Sequence, residues 1–151
     1  MNKPHPLFLP PVFMTLAILL MLGLDRWLPG AEVVAWEWRW WGALPAAVGL
    51  SLSAWGAAML ILHHTALMPF HEATKLITSG AFRLSRNPIY LGLTITLVAI
   101  AWGLGTATPW LVPPAFALFI DRYFIRPDEA MLARLFGDTY QAYARRTRRW
   151  L

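Results

Sequence analysis

The sequence predicts an all-α, integral membrane bundle of about four transmembrane helices with a C-terminal amphipathic cytoplasmic helix. Three observations carry that expectation. The 151 residues are 58% hydrophobic and include nine Trp, with a mean hydropathy of +0.48, a composition too apolar for an ordinary soluble domain and suited to a bilayer. Apolar runs recur over about 7–24, 42–62, 89–105 and 110–125, each near the ~20 residues that a helix needs to cross ~30 Å of hydrocarbon. Charged residues gather between these runs and after the last of them. A single membrane domain over 1–151 is the simplest organisation.

The first run, Leu7 to Leu24, carries Pro10 and Pro11 where a first helical turn tolerates them, and Asp25, Arg26, Pro29 and Gly30 end it. One Lys followed by an apolar run resembles a signal peptide. No small-residue cleavage pattern follows Leu24, so a retained first span is expected. From Asp25 to Trp41, Trp27, Trp36, Trp38, Trp40 and Trp41 mix with Glu32, Glu37 and Arg39, the blend expected at the headgroup level.

The second run is uncharged, and Gly49, Ser53 and Gly56 give it small-residue faces that let helices approach closely. His63, His64 and His71 follow without the companion spacing of a metal box, so no metal is expected. Thr106 to Pro109 make a tight connection between the third and fourth runs, and Pro113 and Pro114 kink the fourth or occupy its first turn. After Arg126-Pro127, Leu132, Leu135, Phe136, Tyr140 and Tyr143 fall near one helical face, with Gly137 as a break point. Arg145, Arg146, Arg148 and Arg149 follow, with Trp150 as an interfacial anchor. Tyr140 and Tyr143 read as packing and interface residues.

Four spans place the N-terminus, the 63–88 loop and the tail on one side. That side holds Lys3, Lys75, Arg83, Arg86, Arg122, Arg126, Arg134 and the four tail arginines, eleven of the thirteen basic residues, against Arg26 and Arg39 on the other. Positive residues mark the cytoplasm, so both termini are expected there, in an inner or plasma membrane. The net charge of +5 therefore serves topology and lipid headgroups. No nucleic-acid motif accompanies it. Cysteine is absent, which excludes disulfides, thiolate nucleophiles and thiolate metal sites.

One stretch stands apart from the lipid-facing runs. Residues 74–92, TKLITSGAFRLSRNPIYLG, form a polar, basic segment that enters the third run with Arg86, Asn87, Pro88 and Tyr90 at its lip. Pro88 suits the first turn of a helix and Asn87 is an N-cap type, so a helix start is expected here, a natural seat for a carboxylate. Arg86 adds a charge for the same task. The second polar block, Asp128-Glu129, reads equally as an acidic first turn or as an ion pair with Arg122 or Arg126. Asp121 and Arg122 are open between function and anchoring.

The first block resembles the T-S-G-x-[YF] turn and R-[HN]-P-x-Y motif of the integral-membrane methyltransferases that group isoprenylcysteine carboxyl methyltransferase with the phospholipid methyltransferases. Asp128-Glu129, Leu132, Phe136-Gly137, Tyr140 and Tyr143 resemble that family's E-E-x-x-L…F-G-x-x-Y-x-x-Y ending. The likeness covers roughly residues 63 to 151, with cofactor motifs in 74–92 and 126–143. It implies S-adenosylmethionine as methyl donor, bound by Thr74, Lys75, Leu76, Ile77, Phe82, Asn87, Pro88, Ile89, Tyr90, Asp128 and Glu129. Arg86 and Glu129 are the residues expected to serve the chemistry. Asn87 stands where the prenylcysteine enzyme has His, Phe82 where it has Tyr, and Asp128 replaces the first Glu, so an imidazole proton acceptor is lost.

Methyl transfer needs alignment and exclusion of water more than a nucleophilic side chain. Arg86 suits a carboxylate, Asp128 or Glu129 an ammonium or ribose hydroxyl, and Tyr90 and Phe82 an adenine or sulfonium. The expected partners are the bilayer and a lipophilic or lipidated acceptor: a prenylcysteine-like carboxylate, a phospholipid amine or a small thiol. Two other readings stand beside this one. One is an NADPH-dependent membrane reductase of the sterol-reductase type; the other is a non-enzymatic membrane packing or transport protein. The first two spans lack the ionisable residues that mark an ion path.

Overall fold

A computed structural model describes residues 10–65 and 73–151. Lys3, the Leu7 start of the first expected span and His71 lie outside them. Among the described residues the regular structure is helical, with one isolated antiparallel bridge between Glu32 and Thr106. The helices are α1 (Pro10–Trp27), α2 (Ala43–Leu62), the single turn α3 (Ala81–Leu84), α4 (Pro88–Leu104), α5 (Val112–Ile120) and α6 (Arg126–Arg146). A 3-10 helix, Trp36–Gly42, leads into α2, and another, Thr108–Leu111, leads into α5.

Pro10–Trp27 and Trp36–Leu62 are long and apolar enough to cross a membrane, and Pro88–Leu104 is a shorter apolar helix. Only 11% of each of the two long apolar windows is buried inside the protein. A helix that turns this much apolar surface outward needs an apolar surrounding.

The chain divides into two compact units, Met1–Leu50 with Leu93–Leu118, and Ser51–Gly92 with Phe119–Leu151. In the first, Met21 and Leu97 are fully buried. The segment after α1 is tied down by its backbone: Val33 and Val34 N–H donate to Gly105 O at 2.8 and 3.0 Å, and Ala107 N–H donates to Ala31 O at 2.9 Å. Arg39 bridges Glu32 (2.9 Å) and lies over the Trp36 ring at 5.5 Å. Trp27, Trp36, Trp38, Trp40 and Trp41 are exposed, as the headgroup-level reading requires.

In the second unit the small-residue face of α2 does the packing expected of it. A Cβ on Gly56 would come within 2.9 Å of Ile89 Cγ1 and 3.1 Å of Pro88 Cγ, and Ser53 Oγ donates to Ile89 O at 3.0 Å. The adjacent histidines end α2. His64 takes φ 50, its N–H donates to Ile61 O, and Thr65 N–H donates to Leu60 O. This is the left-handed Schellman ending that satisfies the last carbonyls of a helix.

The tail helix starts at Arg126, after the fourth apolar run, and its junction with α5 is helical. A π turn, Asp121–Ile125, joins α5 to α6 so that helical structure runs from Val112 onward through the proline. Arg126 N–H reaches back to Asp121 O, the wider i→i+5 bond of a π turn, and Pro127 follows in the first turn of α6. The break falls at Gly137, where φ is 48 and ψ −124, a conformation open to glycine.

Candidate functional site

The second unit assembles the site from four local decisions. Gly80, at φ 58, turns the chain into α3. Ser85 then extends (φ −146, ψ 149) and its Oγ accepts from Asn87 N–H at 3.0 Å. Pro88 begins α4, with Leu91 N–H donating to Asn87 O at 3.0 Å, as the N-cap reading of Asn87-Pro88 predicts. At the other end of the unit, Thr147 leaves α6 for an extended conformation (φ −123, ψ 128).

That departure lays residues 148–149 along residues 85–87. Arg86 N–H donates to Arg148 O at 2.9 Å, Ser85 Oγ to Arg149 O at 2.9 Å, and Asn87 Nδ2 to the same carbonyl at 3.3 Å. Ser85 and Thr147 are buried. Tyr143 Oη donates to Phe82 O at 2.6 Å, so α6 is fastened to the turn of the first motif as well.

Five charged side chains meet inside this frame. Arg86 pairs with Glu129 Oε1 at 3.3 Å, the two side chains being 16% and 12% exposed. Arg149 donates from Nε and Nη2 to Glu129 Oε2, at 3.1 and 2.5 Å, and from Nη1 to Asp121 Oδ1 at 3.2 Å. Arg126 holds Asp121 from the other side at 2.8 Å. Arg86 Nη1 also donates to Tyr140 Oη at 3.4 Å. The hydrogen bonds that Arg149 donates to Glu129 push its guanidinium pKa further up. Burial raises both the Tyr140 and the Tyr143 phenols, so both are neutral at physiological pH.

Two polar atoms of this cluster are buried without a hydrogen-bond partner: Arg86 Nε and Glu129 Oε1. One is a donor and the other an acceptor, and they belong to side chains already in contact. Buried polar groups are nearly always satisfied, and an orphan costs about 1–3 kcal/mol. Such a pair is suited to a ligand that brings a carboxylate and an ammonium together.

The expected site residues divide by position. Arg86 and Glu129 are in direct contact. Asn87 and Pro88 form the α4 start beside them, Tyr90 packs its ring 6.3 Å from Phe124, and Asp128 lies in the first turn of α6. Ile89 meets α2 through Ser53 and Gly56, Ile77 is buried, Leu76 is half-buried, and Phe82 offers its carbonyl to Tyr143. Thr74 and Lys75 are exposed and engaged with the end of α2. Thr74 Oγ1 donates to His64 O at 3.1 Å and Thr65 Oγ1 to Lys75 O at 3.4 Å.

Sequence reasoning missed Arg149, which it grouped with the tail anchors, and left Asp121 undecided. Tyr140 and Tyr143, read as packing and interface residues, are buried at 6% and 8% exposure and hydrogen-bond inside the site. One signal was available. An aspartate at the end of an apolar run is costly without a cation, so Asp121 demanded a partner. In the first unit, a cavity of about 580 Å³ is lined by Val33, Val34, Trp38, Trp102 and Trp110 among others, none of them ionisable, and it has no charge to offer a zwitterion.

Comparison with known proteins adds an independent line. A family model described as phospholipid methyltransferase matches residues 38–139, a stretch that contains Arg86 and Glu129 and stops short of Arg149. The chain is 38% identical over 63 residues to an uncharacterized protein of Haemophilus influenzae, covering 42% of this chain and 100% of that one. It is 34% identical over 89 residues to probable protein-S-isoprenylcysteine O-methyltransferases of Oryza sativa, subspecies indica and japonica, covering 55% of this chain. The chain spans 44% of the length of those rice proteins.

Proposed function

The chain belongs to the phospholipid methyltransferase family, and from that premise we propose that it is an integral-membrane methyltransferase using S-adenosylmethionine on a lipophilic acceptor. One observation carries the reading: the buried donor Arg86 Nε, which has no hydrogen-bond partner, and Glu129 Oε1, which has only its 3.3 Å ion-pair contact with Arg86, sit in one cluster. They match the carboxylate and ammonium of the donor's amino-acid end in charge, chemistry and adjacency.

In this reading Arg86 and the α4 start at Asn87-Pro88 take the carboxylate, where a helix N-terminus favours an anion. Glu129 Oε1 takes the ammonium. Tyr90 and Phe82 provide aromatic faces for adenine or the cationic sulfur, while Asp128, Ile89, Leu76 and Ile77 complete the surround. Thr74 and Lys75 enter by family likeness and stand on the loop that caps α2. The donor supplies an electrophilic methyl whose leaving group is a neutral thioether. The protein's share is to align acceptor and sulfur and to exclude water. A carboxylate or thiolate acceptor needs no base, and a protonated amine does.

The same reading places four spans in the bilayer, completed by α4 and by the helical stretch 108–125, with both termini and the site on the cytoplasmic side. The outward apolar faces of α1 and α2 support the membrane setting, and the basic residue count supports the orientation.

Titration calorimetry on the detergent-purified protein tests it. Saturable binding of S-adenosylhomocysteine, lost in Arg86→Ala and Glu129→Ala, is the expected result. Saturable NADPH binding with none of S-adenosylhomocysteine would overturn the assignment in favour of a reductase. Incubating lipid extracts with methyl-labelled donor and following the label by mass spectrometry then identifies the acceptor.

A further inference from the structure

We propose that Arg149 is a positioning residue of the donor site: it engages Glu129 through Oε2 and so keeps Oε1 presented to the donor's ammonium. The inference rests on the donor-binding reading above and deepens it.

The geometry separates Arg149 from its neighbours. Arg145, Arg146 and Arg148 are exposed, as tail anchors should be, whereas the Arg149 side chain is 32% exposed and spends three nitrogens on two carboxylates. Its inward direction follows from the backbone. The helix ends at Thr147, and the Arg148 and Arg149 carbonyls are held by Arg86 N–H, Ser85 Oγ and Asn87 Nδ2. The guanidinium is therefore placed by the same residues, 85–87, that open α4.

The consequence falls on Glu129. A carboxylate on a helix turns freely about its last torsion unless one oxygen is pinned. Two N–H donors converge on Oε2, which leaves Oε1 with the Arg86 contact and no hydrogen bond. Asp121 keeps Arg149 from swinging away, because Arg126 holds Asp121 in turn. A rigid guanidinium fork suits this role, since it can serve two carboxylates at once in fixed geometry, and an ammonium cannot reproduce both bonds.

Arg149 can alternatively be a plain staple of the tail, and a pair of ligands distinguishes the two roles. S-adenosylhomocysteine carries the amino-acid end; 5′-methylthioadenosine carries the adenosine and thioether without it. If Arg149 positions Glu129, Arg149→Gln lowers affinity for S-adenosylhomocysteine about tenfold or more, the scale expected when a buried charge pair loses a partner. The 5′-methylthioadenosine affinity then stays within about twofold, the ordinary limit of a change that removes no contact to that ligand. Arg149→Lys, which keeps the charge and folds if the glutamine variant does not, recovers part of the loss.

Equal losses for both ligands in either variant would make Arg149 a structural staple and overturn the proposal, as would unchanged affinity for both. Wild-type protein that binds neither ligand would instead remove the donor-site reading itself, and this inference with it.

Discussion

Glu129→Gln tests the energetics of the charge cluster most directly. The substitution removes one negative charge from between two guanidinium groups, while the side chain keeps its size. In the native protein Glu129 faces Arg86 at 3.3 Å and Arg149 at 2.5 Å, and its side chain is only 12% exposed. Arg149 retains Asp121 at 3.2 Å. Arg86 has no second carboxylate among its described ion pairs and is itself 16% exposed. The cost therefore concentrates on Arg86, and breaking a buried pair on one side costs about 3 kcal/mol.

At ~2–4 °C per kcal/mol for a chain of this size, the thermal midpoint in detergent should fall by about 6–12 °C. The diagnostic measurement is the cycle with Arg86→Met. Removing the stranded cation should restore part of the loss, giving a coupling of about 1–3 kcal/mol between the two positions. If the two substitutions add, the Arg86–Glu129 contact carries no energy of its own, and the argument from orphaned atoms to a zwitterionic ligand loses its footing.

Three further outcomes follow from the packing and the phenols. Gly56→Leu should cost about 1–3 kcal/mol, because its side chain would be driven into Pro88 and Ile89 at the start of α4; a midpoint within a degree of wild type would show that the two helices part freely. Gly137→Ala should cost about 1–3 kcal/mol through backbone strain alone, since φ is 48 and nothing lies within 4 Å of the new Cβ. A stabilised variant would mean that the kink at Gly137 is dispensable. Tyr143 has a pKa raised above its ordinary 10.0 by burial, so the folded state retains its proton when the unfolded chain has released it. Its contribution is fully present below pH 10 and is lost as the pH climbs beyond. Tyr143→Phe should therefore be less stable at neutral pH by about 1 kcal/mol, for the lost bond to Phe82 O, with a smaller alkaline loss than wild type in midpoints measured from pH 8 to 11.

Much of the fold was legible because its signals are local. Apolar runs ended by charged or helix-breaking residues place α1, α2 and α4 to within a few residues. Pro88 marks the first position of α4, and Gly137 marks the break in α6. The site was legible in part for the same reason: the R-N-P-x-Y and D-E blocks each sit in one short stretch, and Arg86 and Glu129 prove to be partners. The tail helix begins at Arg126, where the fourth apolar run ends, but the π turn Asp121–Ile125 that joins it to α5 has no signal in the local sequence and was not foreseen. The adjacent histidines His63 and His64 stand at the end of α2, where His64 takes the left-handed conformation that closes the helix.

By itself the sequence determined the helical class, the long apolar helices and the two polar blocks, since hydropathy and propensity act over a few neighbouring residues. Tertiary structure alone decided which of four chemically identical tail arginines enters the cluster. That choice depends on where α6 ends and on carbonyls at 148 and 149 finding donors at 85–87, contacts 62 and 64 residues apart. Composition cannot encode a pairing at that separation; only the folded backbone brings the partners within hydrogen-bond reach.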